Sequence, residues 1–257
     1  MAQTKISWTD QAWNALSWNC NKVSPGCKNC YAQAHSRKYP QNSVAGEFLG
    51  APRWRPNALD DLRQIKAGST VFVNTHSDTF HEKNPTAWIA DMFQHMNQRP
   101  DLIFLLLTKR PQVAALLAPE LKWSDNIWLG TSVEGPAYMN RLEILRKIPA
   151  AHRFISFEPL LEYIPQQQIG LALLTDYEWV IVGGESGEGY RPFAKEWAKD
   201  IQHVCQQYAI PFFYKQGSAP YPDSDRLLDG RTYDERPESF AQMQQKYANQ
   251  VSQLSLF

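Results

Sequence analysis

Long apolar runs are missing from this 257-residue chain. Its longest, such as LIFLLL (102–107), fall far short of the ~20 apolar residues a bilayer-spanning helix needs. The opening MAQTKISWTD lacks the basic-then-apolar order of a secretory signal, so a cytoplasmic protein without a membrane partner is expected. An excess of either charge is also absent, because Lys+Arg and Asp+Glu both total 26. That excludes a global positive field and leaves any contact with nucleic acid to a local patch or a recruiting partner. Cysteine is scarce, with 4 in all. Structural disulfides are disfavoured in a reducing compartment, so clustered cysteines there point to metal or redox chemistry. Aromatic residues are plentiful at 12%, with 9 Trp, and they serve first as packing material.

Six short apolar runs recur: TVFVNT (70–75), LIFLLLT (102–108), NIWLGT (126–131), RFISFE (153–158), EWVIVGG (178–184) and IPFFYKQ (210–216). Runs of this length, rich in Val, Ile and Phe, suit strands buried on both faces of a parallel sheet. Amphipathic stretches at 84–99, 137–148 and 194–210 lie between them and predict helices. Strand then helix, repeated, predicts an α/β fold over residues 1–216, with βα units and a parallel sheet, closed or open. Residues 217–252 read as a turn-rich and then helical extension packed on that domain, and 253–257 as a free tail. The predicted strands end in polar groups: Asn74, His76, Ser77 and Asp78; Lys109 and Arg110; Ser132 and Glu134; Glu158; Gly183, Gly184 and Glu185; Lys215. In such folds ligands sit beyond the C-terminal strand ends, so these residues are expected to line an active-site mouth. The Gly183-Gly184 pair also fits a tight turn that needs positive φ.

Three of the four cysteines crowd into WNCNKVSPGCKNCYA (18–32). Cys20, Cys27 and Cys30 are spaced C-x6-C-x2-C around a Pro25-Gly26 turn. Three thiolates can hold three irons of a [4Fe–4S] cluster and leave the fourth iron open to a ligand. Alternatively, His35 joins them in a Cys3His zinc site, or the three are ordinary thiols. Cys205 falls at an apolar helical position and reads as packing.

A three-cysteine loop near the N-terminus followed by βα units resembles the radical S-adenosylmethionine superfamily. ISWTDQAWN, KVSPGCKNCYA, VFVNTHSDTF, FISFEPLL, WVIVGGESG and LLDGRTYDERP together resemble, more narrowly, an uncharacterised phage-associated protein family with the same cysteine loop. The superfamily resemblance implies that residues 1–216 form a partial (β/α)6-type parallel barrel, with a [4Fe–4S] cluster on Cys20, Cys27 and Cys30 and S-adenosyl-L-methionine on the open iron. It further implies an electron donor and reductive cleavage of that cofactor to a 5′-deoxyadenosyl radical. Asn74, Ser77 or Asp78 would then meet the methionine amine, and Ser132, Glu134, Glu158 and Glu185 would hold the rest of the cofactor beside Gly183 and Gly184. Asp78, Lys109 and Glu185 become the candidate catalytic groups. The sequence departs from the superfamily in its six-residue first gap, where three is common, and in carrying Gly-Gly-Glu after a late strand rather than the second.

The chain stops at QLSLF, and Gln253, Leu254, Ser255, Leu256 and Phe257 resemble the bacterial DNA polymerase sliding-clamp binding motif. Leu256 and Phe257 suit insertion into an apolar cleft, with Gln253 supplying amide hydrogen bonds. Tethering of this kind would bring a neutral protein to DNA without strong nonspecific affinity. In PRWRP (52–56), Arg53 and Arg55 flank Trp54, a pattern able to bind phosphate and stack on a base. Arg110 and Lys215 are further candidates for a substrate phosphate. The function expected is a radical enzyme that repairs or modifies a DNA base. The alternatives are a zinc- or cluster-stabilised adaptor on the clamp, and a radical enzyme acting on RNA or nucleotides.

Overall fold

The computed structural model describes residues 4, 6–16, 20–33, 52–173 and 176–254, with 248–254 as backbone only. The six apolar runs form β2 (Thr70–Val73), β3 (Ile103–Thr108), β4 (Ile127–Ser132), β5 (His152–Phe157), β6 (Trp179–Gly183) and β7 (Phe212–Gln216). They are joined at the edge by β1 (Gln11–Trp13), which was not expected. Neighbours pair in chain order, all parallel. The sheet curls into a half-barrel, so the partial parallel barrel holds with seven strands rather than six.

The helices are α1 (Ala58–Arg63), α2 (Thr86–Asn97), α3 (Pro111–Leu117), α4 (Asn140–Leu145), α5 (Gln166–Leu173), α6 (Lys195–Gln207) and α7 (Glu238–Leu254). Successive side chains of a strand point to opposite faces, and both faces here are apolar. Val71, Val73, Phe104, Leu106, Ile155 and Val180 belong to the core formed with helix residues such as Ile89, Met92, Leu142 and Ile201. Phe72, Ile103, Leu105, Trp128, Phe154, Trp179, Ile181 and Phe213 alternate with them and form a second cluster on the concave face.

Two segments fill that concave face. Phe240 of α7 lies 4.7 Å from the Trp128 ring and 5.5 Å from the Trp179 ring. Trp179 Nε1 donates to Glu235 O at 2.9 Å, and Gln244 Nε2 donates to Gly68 O at 2.7 Å. Trp128 and Trp179 stand at the starts of β4 and β6, so the C-terminal extension closes the floor of the half-barrel. From the other side Trp8 packs 4.5 Å from Phe72 and 6.1 Å from Trp179. The opposite end, where the strands finish, remains for the site.

Candidate functional site

A cavity of about 350 Å³ opens at the C-terminal ends of the strands. Cys20, Cys27 and Cys30 line it, together with Asn74, Ser77, Asp78, Lys109, Arg110, Ser132, Glu158, Gly184, Glu185 and Lys215. Ile6, Trp8, Phe72 and Leu107 also line it and are its apolar part. The predicted strand ends therefore converge on the predicted metal ligands. The loop enters through a 3-10 turn at Pro25–Cys27, and a helical turn begins at Tyr31, directly after Cys30.

Several of the lining residues also hold the cysteine loop and the strand ends in place. Asp78 is fully engaged: Oδ1 accepts from Phe80 N at 3.0 Å and Thr108 Oγ1 at 2.7 Å, and Oδ2 from Lys109 N and Arg110 Nη1, both at 3.0 Å. Arg110 is 1% exposed and also donates through Nε to both oxygens of Glu82 at 3.0 Å. Its Nη2 donates to the carbonyl and side-chain oxygens of Asn21, and Nη1 lies 3.8 Å from Cys20 Sγ. Arg110 is thus no contact for a phosphate. A buried guanidinium with two carboxylates and the cysteine loop around it is withdrawn from the surface. Burial pushes the Cys20 thiol up to about 12, with Asp78 adding to the rise and Arg110 opposing it. Ionising that thiol needs a further positive partner, which a metal centre supplies.

Glu134 and Glu185 were expected at the cofactor; both grip the cysteine loop, and Glu185 also lines the cavity. Ser24 Oγ donates to Glu134 Oε1 and stands 3.7 Å from Cys27 Sγ, while Arg141 Nη1 donates to Glu134 Oε2 at 2.7 Å. Lys109 Nζ lies 3.7 Å from the same carboxylate. A Cβ on Gly26 would sit 2.6 Å from Glu134 Oε1 and 3.0 Å from Pro159 Cδ, so glycine is needed for this approach. Glu185 accepts from Asn29 Nδ2 at 3.0 Å and from the backbone and side chain of Arg191, whose Nη2 also donates to Pro25 O at 2.8 Å. Each cysteine therefore has a neighbour pinned by a buried charged group.

Burial alone would raise the Glu185 carboxyl, but hydrogen bonds from Arg191 and Asn29 outweigh it and hold the group below its ordinary 4.5. A depressed folded value contributes stability that is present above 4.5 and lost as pH falls through the lowered value. The three loop cysteines are therefore expected to become more reactive below that window. Labelling with dithiodipyridine, which reacts in acid, should show the rise in the native chain. In Glu185→Gln the step should vanish, and an identical pH profile in both chains would refute the latch.

Asn74, with φ 53°, spends its side chain inside the fold. Its Oδ1 accepts from Leu16 N at 3.2 Å, and its Nδ2 donates to Thr79 Oγ1 at 2.9 Å. Ser77 Oγ is buried with no partner among the described residues. Lys215 Nζ donates to Glu158 Oε1, and the two form an ion pair inside the cavity. Neither Gly183 nor Gly184 has positive φ. Gly184 is glycine for another reason: a Cβ there would meet Ser218 N at 2.7 Å, where two strand-end loops touch.

The family described as "Protein of unknown function (DUF5131)" matches residues 3–237. The chain belongs to the DUF5131 family. Neither the curated proteins nor the solved structures yield a match. The match ends just before α7 of this DUF5131 protein, so the helix that seals the floor lies beyond it.

The PRWRP turn is also part of the body. Trp54 bridges to Leu16 and packs edge-on against Trp88 at 6.4 Å. Arg55 donates to Asn14 O at 2.9 Å and pairs with Asp61 at 3.5 Å, leaving Arg53 as the exposed member. Trp54, expected as a base-stacking platform, is half-buried against the body. His35, Ser255, Leu256 and Phe257 lie outside the described residues, while Gln253 and Leu254 are the last residues of α7. Arg191, Asn29, Ser24 and Arg141 were not foreseen. Each is an ordinary polar residue in sequence, and only its distance to a distant carboxylate marks it.

Proposed function

We propose that this protein is a radical S-adenosylmethionine enzyme that repairs or modifies a DNA base and is brought to DNA by the polymerase sliding clamp. One observation carries the reading: three thiols from one loop line a single cavity over the C-terminal ends of a parallel half-barrel. Three thiols are the donor set that a [4Fe–4S] cluster with one open iron takes. Cys20, Cys27 and Cys30 share one cavity. Among the described residues no group of three His, Cys, Asp or Glu is placed to hold a metal ion, and His35, the fourth ligand of the zinc alternative, lies outside them. A cluster spans a wider ligand set than one ion does, and charged or polar neighbours such as Arg110 near Cys20 tune its thiolates.

Bound there, the cluster would supply one open iron for S-adenosylmethionine and the electron, drawn from a donor protein, for its cleavage. The chain's own groups have separate tasks. Arg110, Glu134 and the Glu185–Arg191 pair fix the loop. Ser77, Ser132 and the Lys215–Glu158 pair offer hydrogen bonds inside the cavity. The apolar part formed by Ile6, Trp8 and Phe72 excludes water from reacting groups. The tail from Gln253 would engage the clamp.

Anaerobic reconstitution should give about four irons and four sulfides per chain, and 5′-deoxyadenosine on incubation with reductant and S-adenosylmethionine. Cys27→Ser should lose both. A colourless protein with one tightly held zinc would refute the reading and leave a clamp adaptor. The partner is tested separately: the native chain should retain sliding clamp in a pull-down, and a chain lacking Leu256 and Phe257 should not.

A further inference from the structure

We infer that the rim of the cavity is a binding surface for unpaired DNA, whose bases stack on tyrosines supplied by three different loops. Among the large apolar side chains left exposed are Tyr31 at 48%, Tyr190 at 39% and Tyr221 at 73%. Their segments meet at one mouth. Tyr31 lines the cavity itself. Tyr190 follows Gly189, whose carbonyl accepts from Asn29 Nδ2 of the cysteine loop at 2.8 Å. Tyr221 precedes Pro222 and Asp223, which line the cavity, and its loop is bridged to the β6 loop at Ser186 and Ala219.

An exposed tyrosine face is a sequence-tolerant platform for a base, and stacking needs a base whose own face is uncovered, as in a single strand. The rim also carries the matching charge, since Lys22 and Lys28 are exposed on the cysteine loop. Glu188 is exposed on the β6 loop and opposes them there, which keeps the electrostatic contribution modest and gives stacking the larger share. Below the rim, the cavity offers Trp8 and Phe72 as an apolar wall. Trp8 is 1% exposed, and its indole N–H has no partner among the described residues. A donor left unsatisfied beside an apolar wall suits a heterocyclic ring that carries acceptors along its edge. The three exposed aromatics stand on separate segments joined at one cavity, and not on the contiguous apolar patch that a protein partner covers.

The inference rests on the DNA part of the proposed function and is independent of the cluster. It is tested on the full chain without cluster, by fluorescence anisotropy with a labelled single strand of about 12 nucleotides. Single-stranded DNA should bind on the order of tenfold more tightly than its duplex. Tyr190→Ala and Tyr221→Ala should each weaken binding on the order of tenfold, while Tyr190→Phe and Tyr221→Phe should restore it because the ring is kept. Affinity should fall with salt to the shallow degree of a few lysine contacts. Alanine variants that bind like the native chain, or tighter binding of the duplex or of RNA of the same sequence, would overturn the inference. Strand binding without 5′-deoxyadenosine formation would sink the radical reading and leave the rim intact. 5′-Deoxyadenosine formation by a protein that binds no strand would do the reverse.

Discussion

Asp78→Ala is expected to destabilise the fold by about 3–5 kcal/mol, the range for removing one partner of a buried charge pair. The side chain accepts four hydrogen bonds, and its loss strands the buried Arg110 guanidinium with only Glu82, itself half-exposed, as a charged partner. Thr108 Oγ1 and Lys109 N would also lose their acceptor, so the ends of β2 and β3 would come apart. The measurement is the urea midpoint at constant slope. A double-mutant cycle with Arg110→Met separates the pair from its surroundings, because residues in one network are non-additive. The double variant should be less damaged than the sum of the two single ones. A loss below about 1 kcal/mol for Asp78→Ala, typical of a surface pair, would show that the hub does not hold the strand ends. The same variant should raise the labelling rate of Cys20, because Arg110 and Asn21 would no longer be fixed beside it.

Phe240→Ala is expected to cost about 3–5 kcal/mol, as large-to-small changes at buried phenylalanines do. Phe240 is 3% exposed and wedged between Trp128 and Trp179. Those two rings come from different strands, so the loss loosens the floor as a whole, and the near-UV signal of the tryptophans should weaken with the urea midpoint. Lys246→Ala on the same helix should change stability by no more than about 0.5 kcal/mol. If Phe240→Ala is equally mild, α7 does not seal the half-barrel. Ending the chain at residue 237, where the family match stops, should expose the aromatic floor and cause association, since an uncovered apolar patch seeks a partner.

How much of this was legible beforehand follows from the range of the forces involved. Six strands were readable because an apolar run buried on both faces carries its own signal. β1 was not, since QAW is three residues long and is a strand only because Val71–Val73 offers it an edge. The clustering of Cys20, Cys27 and Cys30 was readable from spacing alone. The carboxylates were read as cofactor contacts, and Asp78, Glu134 and Glu185 also accept hydrogen bonds from protein donors. Nothing local distinguishes an acid that faces a cavity from one that binds a loop more than a hundred residues away. Arg110 illustrates the same limit, since a strand-end arginine reads as a phosphate contact until its burial is known.

By itself the sequence determined the strand–helix alternation, the parallel sheet and the gathering of three thiols in one loop, because periodicity, run length and spacing act over a few residues. Only the tertiary structure decided which face of the sheet would be floored by Trp8 and Phe240, which charges would grip the cysteine loop, and which tyrosines would be left facing water. Those outcomes depend on burial and on hydrogen-bond saturation between segments far apart in the chain, and both exist only once the segments have packed.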